Sequence, residues 1–144
     1  MIFRYEKQVL IGFYAGQTRS DIRVLFEEQP CQFMKSIFSE SLTDVYCQDS
    51  VHVHFDANDV LQGVEIMRPN EFICFGGNVL GVKAADIAGW LLEKDSSLNE
   101  DDLGYTLNGG RVVLYVPEKG DHPDVLVKDV YVGFGVSAND PCSN

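Results

Sequence analysis

Basic residues are scarce in this 144-residue sequence, where 11 lysines and arginines stand against 22 aspartates and glutamates. The formal net charge of -11 is spread evenly, because residues 1–72 carry 6 basic and 11 acidic groups and residues 73–144 carry 5 and 11. A body of this charge repels nucleic acid and anionic membranes. The same field attracts a basic partner, although a contribution to solubility is an equally good interpretation.

The sequence also lacks an apolar run long enough to cross a bilayer. Its first residues include Arg4, Glu6 and Lys7, which is not the pattern of a secretory signal peptide. The four cysteines show no CxxC spacing and no cluster with histidine, and a chain of this size folds without disulfides. We therefore expect free thiols, a cytoplasmic location and no metal or other cofactor.

Motifs for catalysis and phosphate binding are missing as well. No GxSxG nucleophile elbow and no GxxxxGK phosphate loop occurs. The glycine pairs at 76–77 and 109–110 are typical of turns. Basic residues are scattered rather than clustered, which disfavours nucleic-acid binding. We expect a protein that is not an enzyme.

What the sequence does contain is strong strand alternation from Val51 to Met67. Two alternating runs flank residues 56–59, whose carboxylates and amide favour a turn. In an extended strand every second side chain lies on one face, so Val51, Val53 and Phe55 face the same way. This pattern predicts a half-buried β-hairpin.

The signals that precede this hairpin recur 65 positions later. The recurring positions are Gly16, Asp21 and Ile22 in the first copy and Gly81, Asp86 and Ile87 in the second. In the first copy, Thr18 and Asp21 have the spacing of a helix capping box. The matching order of strand, glycine, helix and hairpin predicts an internal duplication.

These elements predict an α+β fold, mainly antiparallel, in the form of a curved sheet or β-sandwich of about seven or eight strands with two short helices. We expect one domain over residues 1–136, with repeat units of about 1–70 and 71–136 and a flexible tail at 137–144. The predicted elements include strands at Lys7–Phe13 and Val125–Phe134 and a helix at Lys83–Lys94.

His52, His54 and Asp56 are the one group of side chains in the sequence that has the pattern of a site, because strand alternation places them on one face. Imidazole nitrogens and a carboxylate at alternate positions reach one metal ion. The HxHxD string also resembles metallo-β-lactamase-like hydrolases, except that Ala57 stands where that family has a further histidine. A small metal-binding domain or metal-dependent hydrolase is therefore the alternative function, and a solvated hairpin face is the simplest interpretation.

Two segments, GFYAGQTRSDIRVLF and VHVHFDANDVLQGVEIM, resemble small cytoplasmic immunity proteins of bacteria. The likeness lies in a glycine-led short helix and in the two strands of the hairpin. Such proteins neutralise the toxin domains of contact-dependent growth inhibition and related polymorphic toxin systems. The resemblance implies a protein that binds one cognate toxin, often a nuclease, and blocks its active site. The shared motifs are structural, so they transfer no binding residue.

A negative globule suits that role, because a nuclease presents a basic cleft to phosphate groups and carboxylates imitate their charge. The expected contact groups are acidic side chains in loops, with plain solvation as the alternative for each. They are Asp95, Glu100, Asp101 and Asp102 after the second helix, and Asp56, Asp59, Asp121 and Asp124 at the hairpin tips. A ligand-binding regulatory module inside the curved sheet is a third hypothesis that the sequence leaves open.

Overall fold

The computed structural model describes residues 1–39, 41–117 and 124–134, and within them the chain forms twelve strands and two α-helices. The strands are β1 (Ile2–Glu6), β2 (Val9–Leu10), β3 (Cys31–Phe33), β4 (Thr43–Tyr46), β5 (Val51–Phe55), β6 (Leu61–Met67), β7 (Glu71–Cys74), β8 (Gly77–Asn78), β9 (Asn99–Asp101), β10 (Gly104–Leu107), β11 (Val112–Tyr115) and β12 (Asp129–Gly133). The helices are α1 (Arg19–Arg23) and α2 (Ala84–Lys94), with 3-10 turns at Val79–Gly81 and Asn108–Gly110. Neither α-helix of the described residues is long and apolar enough to span a membrane.

The strands form two sheets. The larger sheet has the order β3-β4-β5-β6-β12-β11-β10-β9 and is antiparallel throughout. The smaller sheet has the order β2-β1-β7-β8, and in it β1 and β7 pair in parallel. The predicted α+β, mainly antiparallel fold is therefore confirmed. The strands outnumber the expected seven or eight because β2, β3, β8 and β9 have only two or three residues each.

The internal duplication is visible in the strand order. The first half (residues 1–70) and the second half (from residue 71) each begin with a β-hairpin, pass through a helix and end with a four-stranded meander. The meanders meet through their last strands, β6 and β12, and the hairpins meet through their first strands, β1 and β7. Each strand of one half therefore has an equivalent in the other.

The duplication extends to single hydrogen bonds. At the start of α1 the N–H of Arg19 donates to the carbonyl of Asp59 over 3.0 Å, and at the start of α2 the N–H of Ala84 donates to the carbonyl of Val125 over 2.7 Å. The residue before each donor forms an isolated β-bridge to the residue after each acceptor. The two donors are related by the 65-residue offset found in the sequence, so both halves attach helix to sheet in the same way.

One hydrophobic cluster takes side chains from both sheets and both helices. Val51, Val53 and Phe55 are buried in it, as the alternation predicts. Ile22 and Ile87, the equivalent positions of the two helices, are both fully buried. The polar side chains of β5 therefore lie on the opposite side of the larger sheet, which we name the outer face.

The first and last strands differ from the prediction. The expected strand at Lys7–Phe13 is instead part of a hairpin, because Lys7 and Gln8 both have positive φ and turn the chain between β1 and β2. The expected strand at Val125–Phe134 is shortened to β12, because its first residues bond to the start of α2 instead. The predicted flexible tail lies outside the described residues.

Candidate functional site

The predicted acidic contact residues that the structure describes do not all lie at one end of the larger sheet. The turn of residues 56–60 joins β5 to β6 near Gly63, which pairs with Gly133 at the C-terminal end of β12. At the other end of β12, Asp129 pairs with Met67. Residues 124–128, which lead into β12, therefore lie at the opposite end of the larger sheet from the turn.

Asp56 and Asp59 stabilise the structure around their own turn. Oδ1 of Asp56 accepts hydrogen bonds from the N–H groups of Asn58 (2.9 Å) and Val60 (3.0 Å). Oδ1 of Asp59 accepts a hydrogen bond from Nη2 of Arg19 over 3.0 Å, and this bond lowers the pKa of Asp59. Both carboxylates thus have structural partners inside the chain.

Two acids after α2 also bind their own loop. Asp95 accepts hydrogen bonds from the N–H and hydroxyl of Ser97 (2.8 and 2.6 Å) and from the N–H of Asn108 (3.0 Å). The Ser97 hydroxyl is the main reason that the pKa of Asp95 is lowered. Oδ1 of Asp101 accepts the N–H groups of residues 103–104 over 2.8 and 3.0 Å. These carboxylates shape the loop in addition to any role at its surface.

Strand β9 is an acidic edge of the larger sheet. It pairs only with β10 in the described sheet, and all three of its residues are exposed. Glu100 and Asp101 belong to it, and the exposed Asp102 follows directly. The geometry therefore brings three of the eight predicted contact acids together on one exposed element.

Asp124 is exposed in the loop before β12. Its carboxylate lies 3.6 Å from Nζ of Lys83, and both side chains are more than half exposed. Such a surface ion pair contributes little to stability. Asp121 lies outside the described residues.

A buried ion cluster, which was not predicted from the sequence, attaches α1 to the larger sheet. Asp44 on β4 is fully buried, and its carboxylate lies 2.6 Å from Nη1 of Arg19 and 3.0 Å from Nε of Arg23. Nε2 of Gln32 donates a further hydrogen bond of 2.9 Å. The Arg19 guanidinium also lies 4.2 Å above the ring of Phe55. The available signal was the spacing of the two arginines on one helix face, but nothing in the sequence marked Asp44 as their partner.

On the outer face, the two histidines of β5 approach Glu65 of β6. Nδ1 of His52 and Nε2 of His54 each lie 3.7 Å from Oε1 of Glu65, which is beyond hydrogen-bond distance. The predicted group of His52, His54 and Asp56 is not formed, because Asp56 binds backbone N–H groups in the turn. Among the described residues no group of three or more His, Cys, Asp and Glu side chains is arranged to hold a metal ion. Glu65 is the carboxylate that lies beside the histidines. The register of the predicted hairpin, which pairs His52 with Glu65, was the signal that could have identified it.

Asp129 of β12 completes this cluster, because its carboxyl group interacts with that of Glu65. Burial, and then the charge of Glu65, raises the pKa of Asp129 to about 7. The neighbouring His54 imidazole, helped by Asp129 and by His52, lowers the pKa of Glu65 to about 2 although burial acts in the opposite direction. Between about pH 2 and about pH 7, Glu65 is therefore the ionised member of the pair and Asp129 the protonated one.

Thr43, His54 and Glu65 stand in the order of hydroxyl, imidazole and carboxylate that nucleophilic enzymes use. Oγ1 of Thr43 lies 3.1 Å from Nδ1 of His54. However, Thr43 is only 2% exposed, so its hydroxyl is shielded from a substrate, and the 3.7 Å gap to Glu65 holds the imidazole loosely. The arrangement is suited to hydrogen bonding through His54 rather than to attack by Thr43.

A scan against protein-family models, a search of curated proteins and a search of solved structures each find no match. The resemblance to immunity proteins therefore stays a prediction.

Proposed function

We propose that this protein is a cytoplasmic immunity protein, which binds a cognate basic toxin domain, most simply a nuclease, and blocks its active site without catalysis of its own. The observation that carries the proposal is the exposed acidic edge strand β9 in a chain of net charge -11. The resemblance of the first half to immunity proteins gives the proposal its biological context.

The charge provides a physical mechanism for inhibition. A nuclease binds phosphate groups with lysine and arginine side chains, and carboxylates form charge-assisted hydrogen bonds with the same groups. Complementary fields also accelerate encounter by about one to three orders of magnitude at low salt. An acidic protein therefore reaches the basic cleft quickly and competes there with nucleic acid.

Strand β9 supplies both parts of such an interface. As an edge strand, it offers backbone N–H and C=O groups to a partner strand. Glu100, Asp101 and Asp102 add carboxylates at the same place. Like charges discourage two copies of this edge from pairing with each other, whereas a basic partner is attracted.

Association kinetics with a toxin test the proposal. The toxin is the C-terminal domain of an exported protein encoded next to this chain, and stopped-flow fluorescence measures its association at several salt concentrations. Charge reversal by Asp101→Lys with Asp102→Lys should slow association at least about tenfold at low salt. The difference should shrink as salt rises, because screening weakens the field.

The matched control reverses the same number of charges elsewhere, by Glu6→Lys with Glu71→Lys on the smaller sheet, where both residues are exposed. Equal slowing by both pairs of substitutions would show that net charge acts without the β9 edge. Toxin activity that persists at saturating concentrations of this protein, together with no protection of growth on co-expression, would refute the immunity function itself.

A further inference from the structure

The two edge strands of the larger sheet differ in charge. Strand β9 carries Glu100 and Asp101, whereas β3 consists of Cys31, Gln32 and Phe33 and has no charged residue. All three residues of β3 are exposed, and among the described residues the strand pairs only with β4. An exposed edge without charge offers its backbone N–H and C=O groups to a further strand.

Exposed apolar side chains are concentrated in the segment that contains β3. Within the described chain, seven of the fifteen large hydrophobic side chains that are exposed lie in residues 24–42. They include the three most exposed of all, Val24, Ile37 and Phe38, each at 80% or more. Phe33 belongs to β3 itself. Such a concentration beside an unprotected edge is typical of a surface that a partner covers.

A groove of about 510 Å³ lies against β3, and its lining includes Cys31 and Phe33 of that strand and Val45 of β4. Cys31 pairs with Val45, and Val45 pairs with His52, so these side chains lie on the outer face. Phe33 is two residues from Cys31 and therefore lies on the same face, where its ring contacts that of His52 with 5.5 Å between centroids. The groove thus places apolar side chains next to the free edge.

The sequence of β3 is complementary to a second copy of itself. When two β3 strands pair antiparallel about Gln32, Cys31 of each copy lies opposite Phe33 of the other. Opposite residues of an antiparallel pair share a face. Each Phe33 ring therefore lies beside Cys31 at the groove of the other copy.

The charges that flank β3 favour this orientation and this partner. Glu27 and Glu28 precede the strand, and Lys35 follows it. Antiparallel pairing brings the acidic end of one strand towards the basic end of the other, whereas parallel pairing would place like charges side by side. Two chains of net charge -11 repel each other, so an uncharged edge is where they approach most easily. A basic partner is attracted more strongly to the carboxylates of β9.

We propose that β3 is a self-association edge, through which two copies form a dimer with two-fold symmetry. The larger sheets of the two copies then join into one continuous sheet that has a β9 strand at each end. Both acidic edges stay free in this dimer. Dimerisation is therefore independent of the proposed immunity function, and either can fail alone.

Analytical ultracentrifugation from micromolar to millimolar concentration tests the proposal. The mass should rise with concentration from 16.1 kDa towards twice that value. Association should strengthen as salt is added, because screening weakens the repulsion between two negative chains.

Two substitutions locate the interface. Cys31→Glu gives β3 the charge protection of β9 and should weaken dimerisation at least about tenfold, because the symmetry places two carboxylates at one seam. Asn99→Glu adds the same charge at an exposed residue of the opposite edge and should change dimerisation little.

A cysteine at position 32 tests the register. In Gln32→Cys the introduced thiols of two copies lie directly opposite each other, with about 5 Å between Cα atoms, which is within the reach of a disulfide. Mild oxidation should therefore give a covalent dimer linked at this position. Asn99→Cys, the control on the other edge, should give no such dimer.

Three outcomes would overturn the proposal. A mass that stays at 16.1 kDa up to millimolar concentration would exclude the dimer. Equal weakening by Cys31→Glu and Asn99→Glu would place the contact elsewhere. Loss of toxin binding in Cys31→Glu, with an unaltered chain that is monomeric, would assign the β3 edge to the toxin.

Discussion

The two halves of the molecule share one backbone plan but attach their helices to the larger sheet with different chemistry. In the first half, Arg19 and Arg23 of α1 bind the buried carboxylate of Asp44. The 65-residue offset places Ala84 and Ala88 at the two arginine positions in α2. Both alanines belong to the hydrophobic cluster or pack against it.

The position of Asp44 in the larger sheet also carries a different residue in the second half. Asp44 pairs with Val53 in the first half, as Tyr105 pairs with Leu114 in the second. A buried carboxylate in one half therefore corresponds to a buried tyrosine in the other. The comparison teaches that the apolar pattern and the helix-to-sheet hydrogen bonds specify the fold. The ion cluster attaches the helix in the first half only, and the fold does not require it, because the second half lacks it.

The largest expected effect comes from removing Asp44. Asp44→Ala leaves Arg19, which is 12% exposed, without its buried counter-charge. We expect a loss of about 3–5 kcal/mol in the free energy of unfolding, measured with urea. Importing the second half's residues, by Arg19→Ala and Arg23→Ala with Asp44→Tyr, should restore much of that loss. A cost below about 1 kcal/mol for Asp44→Ala would contradict this role of the cluster.

The two halves also differ at Gly104, because the equivalent position in the first half is occupied by Thr43. Gly104 has φ +154°, and a Cβ there would overlap the backbone carbonyl oxygen of Leu114. Gly104→Ala should therefore cost about 2–4 kcal/mol in urea unfolding. Gly89→Ala is the matched control, since nothing lies within 4 Å of its added Cβ in α2. That change should stabilise the protein by about 0.5–1 kcal/mol, and equal effects at both glycines would refute the clash.

In the second half, Asp129 occupies the position that is equivalent to Gly63 of the first half. This difference predicts that the free energy of unfolding depends on pH. The folded pKa of Asp129, about 7, lies above its ordinary value near 4, so the folded state binds the proton more tightly. Stability from this group is therefore complete below about pH 4 and is lost as the pH rises through about 7. We expect a decrease of about 1–2 kcal/mol between pH 5 and pH 8, after allowance for solvent screening of a partly exposed pair.

Asp129→Asn should flatten that decrease, because the amide donates to Glu65 without ionising. Urea unfolding at several pH values measures the slope for both proteins. Asp124→Asn, at an exposed acid of the same half, is the control and should retain the slope of the unaltered chain. A steep slope that persists in Asp129→Asn would assign the pH dependence to another group.

The smallest expected effects concern the helix caps. Thr18 and Asp21 form the predicted capping box at α1, whereas Lys83 at the start of α2 makes no side-chain cap hydrogen bond. Thr18→Ala should cost about 1 kcal/mol. Lys83→Thr, with Asp86 already at the third helical position, should gain up to about 1 kcal/mol. Thermal unfolding measures both, and a destabilising Lys83→Thr would mean that the ion pair with Asp124 matters more than the cap.

Local patterns predicted the parts of the fold that depend on neighbouring residues. The alternation of β5 identified which side chains are buried, and the spacing of Thr18 and Asp21 identified a helix start. The duplication was visible because equivalent helices retain the same few residues at a fixed offset. These signals depend on residues that are close together in the chain or on a repeat at a fixed offset. A single sequence is therefore enough to reveal them.

Long-range pairings were not predictable in this way. The turn at Lys7 and Gln8 uses positive φ without glycine or asparagine, so no turn residue marked it. The parallel pairing of β1 with β7 joins segments about seventy residues apart, and the burial of Asp44 depends on arginines more than twenty positions away. The Tyr131 ring lies against Gly63 of the neighbouring strand, a contact that only the sheet register creates.

The pairing of β6 with β12 has a consequence for the stability of each half. Val64 lies opposite Val132 and Ile66 lies opposite Val130, so the last strands of the two halves form one continuous sheet. A pairing between equivalent strands has the symmetry of an isologous homodimer interface, here contained in a single polypeptide. Either half alone would leave the backbone N–H and C=O groups along this edge without partners, so each half supplies the neighbour that the other needs.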